Sequence, residues 1–321
     1  MREITFLKRN EKRWREMESL ITKRKNISPD HLSDLYIGLT DDLSYAQTNY
    51  PKSKTTSYLN QLAARVHQKV YKNKKEKTKR LVYFWKIEFP TLVFKYRKQM
   101  LTAIIVFLIS CLIGAYSTHV NESFVRTILG DAYVDKTIEN IENGNPLGIY
   151  ESMGHFEMFL RITWNNIKVS FRVFAAGILL SVFAGLMLTY NGIMLGCFQY
   201  FFYTKNLLAI SVLTIWVHGT LEITSIVIAG GAGIALGNSF MFPGTHSRLR
   251  SLQRTAADTI KIIIGLVPFF IVAGFLEGFV TRYSHVSTIP ALFIIMFSIL
   301  FILYYFIIYP IKLHRKSYGT N

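Results

Sequence analysis

Residues 289–309 read IPALFIIMFSILFILYYFIIY, an unbroken run without a charged side chain. About 20 such residues, at 1.5 Å each, take an α-helix across roughly 30 Å of hydrocarbon with its backbone hydrogen bonds satisfied inside the segment. The run therefore predicts a membrane-spanning helix. Working outward, the same arithmetic marks 100–117, 169–188 and 260–280 as further spans with few or no charges. Two segments between them are harder to count. Residues 189–203 number only 15, about 22 Å of helix, while 207–237 numbers 31 and is interrupted by His218-Gly219.

Charge settles how these are counted. The stretch 118–168 holds four Lys/Arg against seven Asp/Glu, whereas HSRLRSLQR (246–254) and KLHRK (312–316) are basic. Cytoplasmic loops carry the excess of Lys and Arg, so the two basic stretches belong on the cytoplasmic side and an even number of crossings separates residues 190 and 240. The expectation is an all-α, polytopic membrane protein of about six spans, at 100–117, 169–188, 189–203, 207–237, 260–280 and 289–309. The third is short or re-entrant, the fourth long or kinked, and 118–168 forms an acidic extracytoplasmic loop. A re-entrant segment would need protein or a water-filled cavity around its irregular backbone.

Composition agrees. Half of the 321 residues are apolar and only 18% are charged, yet the net charge is +17 from 37 Lys+Arg and 20 Asp+Glu. Soluble domains carry about 25% charge, so this balance excludes a wholly soluble chain and implies a membrane protein with one basic soluble part. Residues 1–99 hold 23 Lys/Arg and 10 Asp/Glu, which places the domain boundary at 99/100. Three amphipathic helices are expected there. The first places Ile4, Leu7, Trp14, Met17 and Ile21 on one face; the second starts at Ser28-Pro29-Asp30 and stops before Pro51. The third carries Leu59, Leu62, Val66 and Val70. KNKKEKTKR (72–80) reads as a solvated, membrane-proximal stretch, and Phe84 and Trp85 after it suit the headgroup region.

On the cytoplasmic side, the basic domain is expected to meet anionic lipid headgroups, at about 1 kcal/mol per Lys or Arg, rather than nucleic acid. A protein partner is compatible with that. The first residues, MREITFLKRNEKRWREMESL, lack the apolar stretch and cleavage site of a signal peptide, so both termini are expected in the cytoplasm, in the cytoplasmic membrane. Cys111 and Cys197 lie inside apolar runs and cannot build a disulfide framework or a thiolate metal cluster.

Polar residues inside the spans carry the functional signal, because a charge at mid-membrane costs about 2.5–3.5 kcal/mol on translocon scales. His218 and Glu222 are four apart and share a helix face; Glu277 and Thr281 repeat the spacing. Arg172 opens the second span, where it either snorkels to headgroups or pairs inward. With Asn165 and Asn166 these form an expected buried polar site, open to three readings: a structural clamp, a substrate, ion or proton pathway, or catalysis. No metal or cofactor is expected from spacing, since there is no second intramembrane histidine and no paired-histidine zinc signature. No Gly-x-Ser-x-Gly elbow occurs, and the Gly231-x-Gly233-x-x-x-Gly237 run misses the dinucleotide fingerprint. Gly192/Gly196, Gly233/Gly237 and Gly274/Gly278 are Gly-xxx-Gly pairs, suited to close helix packing within one bundle or to a homodimer face.

The order of Trp164-Asn165-Asn166-Ile167, Phe174 with Gly177, Asn191-Gly192 with Gly196, His218-Gly219-x-x-Glu222 with 229–233, and Leu276-Glu277-Gly278 with Thr281 resembles the stage II sporulation protein M family. RNEKRWREMESLI (9–21), DLYIGLTDDLSYA (34–46), YLNQLAARVHQKVY (58–71) and FPTLVFKYR (89–97) are similar to its longer members. The resemblance implies an integral membrane protein whose founding relatives act in spore engulfment, holding two peptidoglycan-remodelling enzymes at the membrane. Two classes follow. One is a membrane scaffold organising a cell-envelope complex, with a protein partner or a second copy. The other is a permease or lipid-handling protein whose His218, Glu222, Glu277, Asn165 and Asn166 line a cavity. An intramembrane hydrolase built on His218 and Glu222 is third.

Overall fold

A computed structural model describes residues 1–22, 29–70, 77–144, 154–281 and 288–318, and every regular element among them is helical. The chain forms two compact units, Met1–Thr78 and Lys79–Asn321.

The first unit contains helices α1 (Glu3–Thr22), α2 (Pro29–Asn49) and α3 (Lys54–Val70). Its core is Phe6, Trp14, Met17, Leu39, Ala46, Leu59, Leu62, Ala63 and Val66. The expected faces hold for α3 at Leu59, Leu62 and Val66 and for α1 at Trp14 and Met17. They fail at the start of α1: Ile4 is 71% exposed and Leu7 37%, while Phe6 is buried against Trp14 and Tyr45. Phe6 fits the same stripe, one turn before Asn10 and two before Trp14, and an aromatic ring removes more area from water than either aliphatic side chain. Asp42 accepts a 2.7 Å hydrogen bond from Trp14 Nε1 and pairs with Arg13, which lets a carboxylate sit at the edge of this core. The side chains of Ile21 and Val70, the Ser28 cap and most of 72–80 lie outside the described residues.

The second unit begins at α4 (Lys77–Tyr83), a π-helical turn Phe84–Glu88 and α5 (Phe89–Lys95). The two compact units divide at 78/79, within the 1–99 stretch read as the basic domain. The reason is burial: Phe89 is fully buried and packs on Phe269 and Tyr305, Trp85 Nε1 donates to Gly265 O at 3.3 Å, and Tyr305 donates to Trp85 O at 2.6 Å. The apolar content of FWKIEFPTLVF outweighs its position in a basic neighbourhood. Ion pairs fix the same segment, with Lys261 to Glu88 at 2.5 Å and Lys95 to Asp258 at 2.5 Å.

The bundle continues with α6 (Arg97–Val120), α7 (Phe124–Leu129), α8 (Asp131–Glu142), α9 (His155–Leu179), α10 (Ser181–Thr204), α11 (Leu208–Met241) and α12 (Arg248–Phe275). A π-helical stretch Leu276–Thr281 extends α12; α13 (Thr288–Ile302), a π stretch Leu303–Ile308 and α14 (Tyr309–Tyr318) complete the chain. Among the described residues five helical stretches are long and apolar enough to span a membrane: 97–120, 181–204, 208–241, 248–281 and 288–316. The 25-residue α9 is as long but carries Glu157, Arg161, Lys168 and Arg172.

The run 169–203, whose one charged residue is Arg172, is divided at Leu180 rather than at 188/189, so the expected short third segment is a full 24-residue helix. Leu180 is extended (φ −164°, ψ 157°) and the chain turns there across Gly237, where a Cβ would stand 2.6 Å from Ser181 Cα. The fourth segment is one continuous 34-residue helix. It is the axis of the bundle, buried at 217–221 and again at 225–237. Its run AGGAGIALG (229–237) supplies small residues against which α6, α9 and α10 close.

All three glycine pairs are consumed inside this chain. A Cβ at Gly192 would lie 2.7 Å from Ser110 Cβ, and one at Gly196 would meet the Cys111 backbone on α6. Gly233 faces the Val173 and Phe174 carbonyls on α9 at 3.0 Å, Gly274 faces Thr163, and Gly278 faces Phe159 and His155 at 3.2–3.3 Å. Outside these joints α6 and α13 expose rows of Leu, Ile and Phe, as a lipid-facing surface does.

Candidate functional site

His218 and Glu222 stand on the buried stretch of α11, and Glu277 stands in the π-helical extension of α12. The three come together. One ligand-capable atom from each lies within 4.8 Å of the other two, and His218 Nε2 is 3.5 Å from Glu277 Oε2. The side chains are 10% and 14% exposed at His218 and Glu277. Among the described residues the contact with His218 is the only ion pair that either carboxylate makes, and His218 Nδ1 is buried with no hydrogen-bond partner.

The joint is closed by α9. Asn166, buried, places its amide beside Glu222. One turn before it, Thr163 packs on Gly274, and one turn after it Ser170 is 1% exposed. Thr163, Asn166 and Ser170 thus form an inward polar stripe, and the Thr163 and Ser170 hydroxyls are buried without partners. His155 Nδ1 lies 3.3 Å from Gly278 O, tying the start of α9 to the residue after Glu277. A π turn at Glu277 is in keeping with its place here, since such wide turns arise where a helix is distorted to aim a side chain.

Not every expected member takes part. Arg172 and Asn165 are exposed. They sit on the side of α9 opposite its buried stripe, so neither offsets the carboxylates. Thr281 is buried, but its hydroxyl donates to the main-chain oxygen of Glu277 at 3.0 Å and serves the π turn instead of the cluster. Thr163 and Ser170 join the site without being expected in it; their spacing of three and four from Asn166 is the signal that points to them.

A large groove adjoins the cluster. It measures about 1180 Å³ and is lined by apolar and aromatic side chains of α12, α13 and the π stretch after α13, among them Phe269, Phe293, Phe297 and Tyr305. Leu221 and Leu276, the residues preceding Glu222 and Glu277, form part of its wall. The other end is walled by Leu81, Val82 and Trp85.

Chemically the cluster offers one imidazole and two carboxylates in a joint with little access to water. Such a set can hold helices together, share a proton or bind a cation. A domain of unknown function (DUF8413) matches residues 4–72, which covers most of the first unit. No curated protein and no solved structure matches the chain. The stage II sporulation protein M family matches residues 103–282, more than half of the chain and all of the helices that build the joint. The chain belongs to the stage II sporulation protein M family.

Proposed function

We propose that the protein is a membrane scaffold that organises a cell-envelope complex, with α9 as a sixth crossing beside the five apolar stretches and both termini therefore in the cytoplasm. The observation that carries this reading is the tightness of the polar joint: His218, Glu222 and Glu277 face one another within 4.8 Å instead of lining a lumen. Gly274 and Gly278 bracket Glu277 and bring α12 against α9 at the same place. A clamp of this kind gives a rigid bundle, and a rigid bundle presents its attached parts in fixed positions. The part so presented is the α7–α8 hairpin, which docks through Val125 and Val134 on Cys197, Phe201 and Phe202 of α10. In this orientation, supported by the basic stretches 246–254 and 312–316, the hairpin is extracytoplasmic.

Photo-crosslinking in native membranes tests the reading. A photoreactive residue at the exposed positions Arg9 and Glu139 is expected to give discrete adducts with other proteins. Adducts with lipid alone at both positions, together with solute flux in proteoliposomes, would overturn it. Lipid handling is a second reading, favoured by the 1180 Å³ apolar groove whose wall includes the neighbours of both carboxylates.

A further inference from the structure

We infer that His218, Glu222 and Glu277 bind one divalent first-row metal ion, zinc being the best match. The inference goes beyond the scaffold reading and does not depend on it. Two ligands held about 2.0–2.2 Å from zinc at tetrahedral angles are about 3.3–3.6 Å apart. His218 Nε2 and Glu277 Oε2, at 3.5 Å, already span such an edge. The remaining separations, up to 4.8 Å, need to close by on the order of 1 Å, within the reach of a glutamate rotamer. Glu222 shares a helix face with His218, so one rigid element supplies two ligands and the π turn supplies the third.

Charge argues in the same direction. Two ionised carboxylates and a neutral imidazole would put the joint at −2, and among the described residues no lysine or arginine pairs with either carboxylate. A divalent cation brings the formal sum to zero, which is how buried charges persist where no ion pair offsets them. An independent sign is the His218 ring itself, nine-tenths buried in the cluster with Nδ1 unpartnered. With no acceptor or donor fixing Nδ1, the ring's tautomer is free to place its lone pair on the Nε2 that faces Glu277. The mixed nitrogen and oxygen set excludes calcium and magnesium as preferred ions, since both favour all-oxygen shells, and suits zinc, manganese or iron(II). Asn166 or water would fill the fourth position, and the residual exposure of the carboxylates gives the ion a way in.

The test uses the full chain in detergent, stripped with chelator and titrated with Zn2+. The expected result is about one equivalent bound, with a higher melting temperature than the stripped protein. Zinc bound by the His218→Ala and Glu277→Gln variants should fall about ten-fold or more, the scale on which even outer-shell partners of a metal act. Unchanged uptake in the double variant would assign the zinc to other histidines and overturn the proposal. So would stripped wild type that takes up no zinc. Where the variants do not fold, Co2+ loading of wild type decides, since Co2+ in a low-coordinate nitrogen and oxygen site gives intense visible d–d bands, far stronger than the weak absorption of the octahedral aqueous ion. Failure here leaves the crosslinking outcome for the scaffold untouched.

Discussion

His218 Nε2 and Glu277 Oε2 meet at 3.5 Å across two helices that are joined in sequence only through the distant 242–247 turn. Helix direction explains the meeting: α11 and α12 are antiparallel neighbours, so a residue ten positions into α11 comes level with one at the start of the extension that follows α12. A pairing made this way is a long-range contact that holds the ends of the two longest helices in the bundle.

Glu222→Gln should lower the melting temperature of the detergent-solubilised protein. The substitution keeps the volume and removes the charge, so the effect reports mispaired buried partners, at about 1–3 kcal/mol or several degrees. The measurement belongs in chelator, where any metal contribution is absent. A melting temperature equal to wild type in chelator would count against the clamp.

Much of this arrangement is legible in the chain before it folds. His218, Glu222 and Glu277 stand out because charge is expensive in lipid, and the apolar runs give the helices by length alone. What cannot be read has a common cause. In a bilayer the outside of a helix is as apolar as the inside, so periodicity no longer says which face is buried. Asn165 and Asn166 are adjacent, and nothing local tells which of them points inward. The 169–203 run has no Gly-Pro signal at Leu180, so its division is fixed by packing of the turn on Gly237. Nor does anything near Phe89 mark it as core, because the Gly265 that receives its ring lies 176 positions further along the chain.

Gly237→Ala and Gly185→Ala form a matched pair. At Gly237 a Cβ would meet backbone, 2.6 Å from Ser181 Cα and 2.7 Å from Leu180 C, and backbone cannot swing aside. A loss of about 1–3 kcal/mol or more is expected, the range of overpacked cores. At Gly185 nothing lies within 4 Å, and alanine is the better helix former, so the change should be neutral or slightly stabilising. Equal melting temperatures for the two variants would contradict the packing described above.

Asp42→Ala probes the first unit. It strands the Trp14 N–H, which donates to Asp42 at 2.7 Å, and unpairs Arg13. Loss of a buried acceptor costs about 1–3 kcal/mol. Tryptophan fluorescence should show the helical unit unfolding earlier in urea than wild type, while a Lys52→Ala control at an exposed position does not move.

The α7–α8 hairpin supplies a pH-dependent prediction. Burial pushes the Tyr133 hydroxyl up to about 12 from an ordinary value near 10, because the phenolate is the form that loses solvation. The folded value exceeds the unfolded one, so the stabilisation is fully present below pH 10 and is lost as pH rises through the folded value. Between about pH 10 and 12 the hairpin should therefore loosen from α10. Cys197, fully buried in the cluster that also holds Val134, is the reporter. In a Cys111→Ser background its labelling by a thiol reagent should accelerate over that window, and Tyr133→Phe, which has no proton to lose, should remove the part of the acceleration that Tyr133 causes. Identical labelling profiles with and without the hydroxyl would show that ionisation of Tyr133 does not govern the docking of the hairpin.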